Sequence, residues 1–316
     1  MPKVLVNQLV EGVNQSTGGT ENLNFCMGSK PGLAVPIAIH YQQQGKGTDI
    51  VLVHGVTGNL CVWFMHILPA LAKKYRVTAY DLRGHGYSDR PASGYTSDDM
   101  VLDLKGLVDH LKIERAFFVG HSFGAAIALH FASLYPRQTA GVVILDGGIP
   151  ALLHLRRLNT CGEDKWQGWE LYKDDLDRLG VHTEEDLVDV ENAVRKSFYV
   201  PVQHGLRVGG SRQSDRLTRL VEDTSILKEF RLVKALTEEK ISHIQCPTLC
   251  IYGAFSPYRG IGERLKEIMP DCEFLAVSDH GHFYPMQSPG ILLELLDTFF
   301  QKENPKLGSQ NRKFIG

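Results

Sequence analysis

The chain has 316 residues, 43% hydrophobic and 22% charged, the balance of a globular protein with room for one large domain and an insertion. A formal charge of −2 leaves no electrostatic footprint for nucleic acid or anionic lipid, so neither a polyanion nor a membrane surface is an expected partner. Six scattered cysteines exclude a disulfide scaffold. Cys246 and Cys250 lie on one extended run, roughly 13 Å apart and beyond disulfide reach, so reduced thiols and a cytoplasmic location are expected.

At the N-terminus the apolar patch Val4 to Val10 is broken by Asn7 and Gln8 and has no basic lead, which argues against a signal peptide. No apolar run elsewhere approaches the ~20 residues that span a bilayer. Residues 11–33 are rich in Gly, Asn, Ser and Thr without a period, and residues 1–33 are read as a loosely ordered lead-in. Short aliphatic runs follow at Val35–Tyr41, Ile50–Val53, Arg76–Tyr80, Arg115–Val119, Ala140–Leu145, Thr248–Tyr252 and Glu273–Val277. Helical segments separate them. Met100, Leu104, Leu107, Val108 and Leu111 form one helical stripe behind the capping run Thr96-Ser97-Asp98-Asp99. The segment Ser122–Tyr135 is apolar on nearly every face and predicts a buried helix. A last helix opens with Ser288 as N-cap and Pro289 at its first position.

Strands alternating with helices predict a mostly parallel sheet covered on both faces, over residues 34–148 and 240–303. From 149 to 239 the alternation stops and charged, helical patterns take over, which predicts a helical cap inserted between two strands. Trp166, Trp169, Phe198 and Tyr199 in that cap could line a substrate pocket, although aromatics at helical spacing are more often ordinary core. The polar tail 304–316 predicts no element.

Gly120-His121-Ser122-Phe123-Gly124 follows one predicted strand and opens the apolar helix. A G-x-S-x-G turn in that context pushes the serine hydroxyl out of the sheet as a nucleophile, and its glycines let backbone pass close by. The loop His54-Gly55-Val56 closes another strand and can aim a backbone N–H at the same place. Val56 N–H and Phe123 N–H are therefore the expected oxyanion donors. Gly281-His282, between the last strand and last helix, offers a base. His280 is its competitor, and a His-x-His metal pair lacks an evident third ligand. No metal and no cofactor are expected.

His54-Gly55, Asp81-Leu82-Arg83-Gly84-His85-Gly86-Tyr87-Ser88-Asp89, Gly120–Gly124, Cys246-Pro247-Thr248-Leu249 and Gly281-His282 together resemble, in order, the landmarks of the α/β-hydrolase superfamily. The resemblance covers about residues 35–300. It implies an eight-stranded-type, mostly parallel α/β-hydrolase sheet with an inserted cap, and a serine hydrolase acting on an ester, thioester or lactone as a small-molecule acyl substrate. It also implies that the Arg83–Gly86 loop is scaffolding. Carbon–carbon bond hydrolases, perhydrolases, lyases and non-catalytic receptors share the fold and stay open as alternatives. Many relatives carry the triad acid in a Gly-x-x-Asp turn, but here Gly253-Ala254-Phe255-Ser256-Pro257 has no carboxylate. The other position used in the superfamily is the end of the preceding strand. That points to Asp146, whose competing reading is a loop cap ahead of Gly147-Gly148.

Overall fold

The computed structural model describes residues 2–6, 37–156 and 219–304. Its centre is an eight-stranded sheet: β1 (Lys3–Val6), β2 (Ile37–Gln44), β3 (Asp49–Val53), β4 (Arg76–Tyr80), β5 (Ala116–His121), β6 (Thr139–Leu145), β7 (Thr248–Gly253) and β8 (Cys272–Val277). The spatial order is β1-β2-β4-β3-β5-β6-β7-β8. β2 runs antiparallel to β1 and β4, and all other neighbours are parallel.

The central strands read as continuous apolar runs because they are buried on both faces. Val51, Val53, Phe118, Val142, Ile144, Cys250 and Tyr252 join one core. Their alternates Ile50, Leu52, Phe117, Val119, Val143, Leu145, Leu249 and Ile251 join the other. The helices divide accordingly. Helices α1 (Cys61–Phe64) and α2 (Ile67–Leu71) cover the second face together with the C-terminal helix. On the first face lie α3 (Ser97–His110) and α4 (Phe123–Leu134).

Helix α3 starts as its sequence dictates. Thr96 accepts from Asp99 N–H while the Asp99 carboxylate reaches back to Thr96, a capping box. After residue 218 come α5 (Ile226–Glu229), α6 (Glu238–Ser242), α7 (Arg259–Ile268), α8 (Tyr284–Gln287) and α9 (Pro289–Glu303).

One departure from expectation stands out. Within the lead-in expected over 1–33, Lys3–Val6 pair with Ile37–His40 as an edge strand, with Val4 buried on the core. Residues 7–36, including most of that lead-in, lie outside the described residues. Most of the cap expected over 149–239 also lies outside them. Its described C-terminal end sits on the sheet-and-helix core: Glu229 accepts from Gly94 and Tyr95 N–H at 2.8 and 2.6 Å, and Phe230 meets Phe123 edge-on at 5.8 Å.

Candidate active site

The parallel register brings the C-terminal ends of β3, β5, β6 and β7 level. His121 stands opposite Leu145, and Leu145 opposite Ile251. One residue further, Ser122 leaves β5 and Asp146 leaves β6. Ser122 N–H donates to Leu145 O at 3.0 Å, and Asp146 N–H donates to Ile251 O at 2.8 Å.

Ser122 has φ 55°, ψ −123°, a left-handed backbone uncommon outside glycine and held here by its surroundings. The close approach of α4 to the sheet dictates the flanking glycines. A Cβ on Gly124 would stand 2.3 Å from Val53 O, and one on Gly120 would stand 2.3 Å from Gly124 O. No side chain fits either position.

His282 faces this turn from the loop between β8 and α8. Its Nε2 lies 3.1 Å from Ser122 Oγ and its Nδ1 lies 2.8 Å from Asp146 Oδ1. Asp146, fully buried, accepts a second bond from Gly253 N–H at 2.8 Å on Oδ2 and a third from the Ser256 hydroxyl on Oδ1. A carboxylate can only accept, so Nδ1 donates and Nε2 is left to accept from the serine. Ser122, His282 and Asp146 thus form one bonded line. His280 is turned elsewhere, its ring nitrogens 2.6 Å from Ser278 O and 2.6 Å from Ser288 Oγ.

The His54–Val56 loop lies against the serine. A Cβ on Gly55 would be 2.8 Å from Ser122 Cβ. His54 is buried and accepts from Leu82 N–H at 3.0 Å through Nε2, so its Nδ1–H donates to Gly55 O at 2.8 Å. Burial, with His85 nearby, lowers the His54 pKa to about 3 and keeps it neutral.

His85 spans the loop and the 81–89 turn, with ring nitrogens 2.5 Å from Val56 O and 2.8 Å from Arg83 O. Burial lowers its pKa too. A neutral ring can donate to only one of those carbonyls at a time. The turn itself is anchored by Asp81, which accepts from Leu60 and Tyr87 N–H, and by the buried bidentate pair of Arg83 with Asp103. Neither Val56 N–H nor Phe123 N–H donates to another described residue.

Residues 49–289 match the model of the alpha/beta hydrolase fold family. The chain belongs to that family. It is 30% identical over 288 residues to a 2-hydroxy-6-oxononadienedioate/2-hydroxy-6-oxononatrienedioate hydrolase of Paraburkholderia phymatum, a match covering 86% of this chain and 88% of that protein. It is 26% identical to a 2-(acetamidomethylene)succinate hydrolase of Mesorhizobium japonicum, covering 83% and 91%. Among solved structures it resembles Est816, described as an N-acyl homoserine lactone degrading enzyme, with TM-score 0.57, 25% identity and coverage of 83% and 97%. This α/β hydrolase is accordingly an enzyme of a hydrolytic family.

Two residues of the site escaped sequence reasoning. His121 entered it only as the variable position of the serine motif. Yet the buried His121 ring packs against the His282 ring at 4.9 Å, and its Nε2 lies 3.0 Å from His282 O. Burial, reinforced by the neighbouring imidazole, lowers its pKa to about 4, so a neutral His121 donates to that carbonyl. Ser256 carries no carboxylate, so its turn offers no triad acid by sequence. A hydroxyl where relatives carry the acid was the available signal. Trp166, Trp169, Phe198 and Tyr199 lie outside the described residues. The described residues hold no group of three His, Cys, Asp or Glu side chains placed for a metal ion, and no helix among them is long and apolar enough to cross a membrane.

Proposed function

We propose that this α/β hydrolase cleaves a small-molecule carboxylic ester, thioester or lactone by two-step acyl transfer through Ser122, with His282 as base and Asp146 as its partner. The observation that carries the reading is the bonded line from Ser122 Oγ through the His282 ring to Asp146, at 3.1 and 2.8 Å. His282 Nε2 takes the serine proton as Oγ adds to the carbonyl carbon. Val56 and Phe123 N–H, the latter at the start of α4, receive the oxyanion. The imidazolium, steadied by Asp146, then protonates the leaving group as the acyl–oxygen, acyl–sulfur or lactone bond breaks. Water, deprotonated by the same nitrogen, releases the acid.

Residues 149–239 are assigned as a cap over this site, supported by the packing of Glu229 and Phe230 on the core. A cytosolic setting is part of the reading, on the strength of cysteine spacing.

A second reading is cleavage of a dicarboxylate by the same residues. Two relatives matched over most of their length are named as hydrolases of a dioate and a succinate. A cation also stands close by. The Arg156 guanidinium lies over the Tyr258 ring at 5.2 Å, and that ring packs on His282 at 4.9 Å.

Labelling with a fluorophosphonate, followed by a panel of esters, thioesters, lactones and dioates, tests both readings. Adduct on Ser122 is expected. An unlabelled folded protein overturns the nucleophile, and turnover confined to dioates selects the second reading.

A further inference from the structure

We propose that Ser256 is a positioning residue of this site, an inference that rests on the Ser122–His282–Asp146 reading above. Ser256 is in the turn that follows β7 and is 6% exposed. Its hydroxyl donates to Asp146 Oδ1, the same oxygen that His282 Nδ1 meets at 2.8 Å. Its lone pair accepts from Tyr258 N–H at 3.1 Å. An amide N–H can only donate, so this contact fixes which way the hydroxyl proton points: it is directed to the carboxylate.

The same turn supplies Gly253 N–H to Oδ2 at 2.8 Å. Each carboxylate oxygen therefore has its own donor from the end of β7. Two anchors on two oxygens fix the plane of the carboxylate, where one anchor would leave a pivot. The fixed plane is what aims Oδ1 at the imidazole, and through it aims Nε2 at the serine. Ser256 touches neither substrate nor the reacting atoms, and acts through Asp146 alone.

The geometry carries a second consequence. Ser256 Oγ and His282 Nδ1 are both hydrogen-bond neighbours of one oxygen, so a carboxylate borne by position 256 comes within reach of the imidazole. The bond between 146 and 256 can then be reversed. In the double substitution Asp146→Asn/Ser256→Asp, the new amide donates to the new carboxylate and the site keeps a single negative charge.

The test reads nucleophile activation directly, through the maximal rate kinact and the half-saturating concentration KI for a fluorophosphonate reacting with Ser122, in the full chain. Ser256→Ala is expected to lower kinact by about tenfold or more, the weight of one hydrogen bond to a charged group, with KI unchanged. Ser256→Thr, which keeps the hydroxyl, is expected to retain most of the wild-type rate. Asp146→Asn should lose on the order of 10³–10⁴, and the double variant should recover at least about tenfold of that loss. Circular dichroism accompanies each variant, so that only folded proteins are compared. A folded Ser256→Ala variant with wild-type kinact overturns the proposal, as does a double variant no faster than Asp146→Asn. Should Ser256→Ala fail to fold, the threonine and double variants decide. A wild-type protein that does not label at all overturns the triad reading instead.

Discussion

Ser122 and His282 meet across 3.1 Å, yet the two sides of that contact are held by different means. The serine side is backbone and van der Waals contact. Gly120 and Gly124 leave no room for a methyl group, Ser122 is forced to positive φ, and the elements around it are buried. The histidine side is a loop hung from the edge strand β8, whose outer residues Glu273 and Leu275 are exposed. Close backbone packing reaches it where Gly253 passes under His280 and Gly281, and hydrogen bonds do the rest: Phe255 N–H to His280 O, His280 to Ser288, His121 to His282 O, and His282 to Asp146. Close packing fails abruptly when a substitution adds an atom, whereas a set of hydrogen bonds loosens by degrees.

The largest expected effects fall where the sides meet. Ser122→Ala and His282→Gln should each lower kcat on the order of 10⁶-fold, as removing either member of such a pair does. His280→Gln, which only slackens the loop, should lose no more than about tenfold. Steady-state kinetics on the best ester decides, and equal losses at 280 and 282 would reverse the assignment of the base.

On the packed side, Gly124→Ala places a Cβ 2.3 Å from Val53 O and is expected to cost about 3 kcal/mol or more of stability. Chemical denaturation checks it, and a cost under about 1 kcal/mol would show that the elbow gives way more easily than its contacts imply. The hydrogen-bonded side should respond gently. His121→Phe keeps the ring packing against His282 but deletes the donor to its carbonyl, and kcat should fall by about tenfold while KM holds. A fall in KM-dependent binding alone would assign His121 to the pocket wall.

A further effect, on acid stability, draws on one ring from each side. His54 and His121 are held near about 3 and about 4 by burial, below the ordinary 6.5. Unfolding lets both take up a proton below pH 6.5, so stability rises with pH and is lost as pH falls from 6.5 toward 4. Each histidine contributes a slope of at most about 1.4 kcal/mol per pH unit in that window. Thermal unfolding between pH 6.5 and 5 measures the slope; a flat profile would show that both rings are protonated in the folded state, and a halved slope that one is.

The same contrast explains what could be read from the sequence. The runs of β3 to β7 were legible because strands buried on both faces are continuously apolar, those of β2 and β8 because short aliphatic runs remain in them, and the serine turn because one short motif contains its whole geometry. β1 was not legible, since Lys3–Val6 gains meaning only when paired with residues 37–40. Helices α1 and α2, four and five residues long, are too short to show a period. Asp146 could be reached only by need, because an acid at a strand end looks like any loop cap. Ser256 had only its place in the turn to mark it, since the partner that gives its hydroxyl a purpose lies 110 residues away.

The spacing along the chain sets an order of assembly during synthesis. Ser122 and Asp146 sit on adjacent strands and are translated close together, whereas His282 arrives after a further 136 residues. On the proposed roles, a growing chain that has reached β6 has the serine and its acid but no base to activate the hydroxyl. The proposed nucleophile is therefore silent throughout the making of residues 149–239. It can acquire its proton acceptor only after His282 has been made.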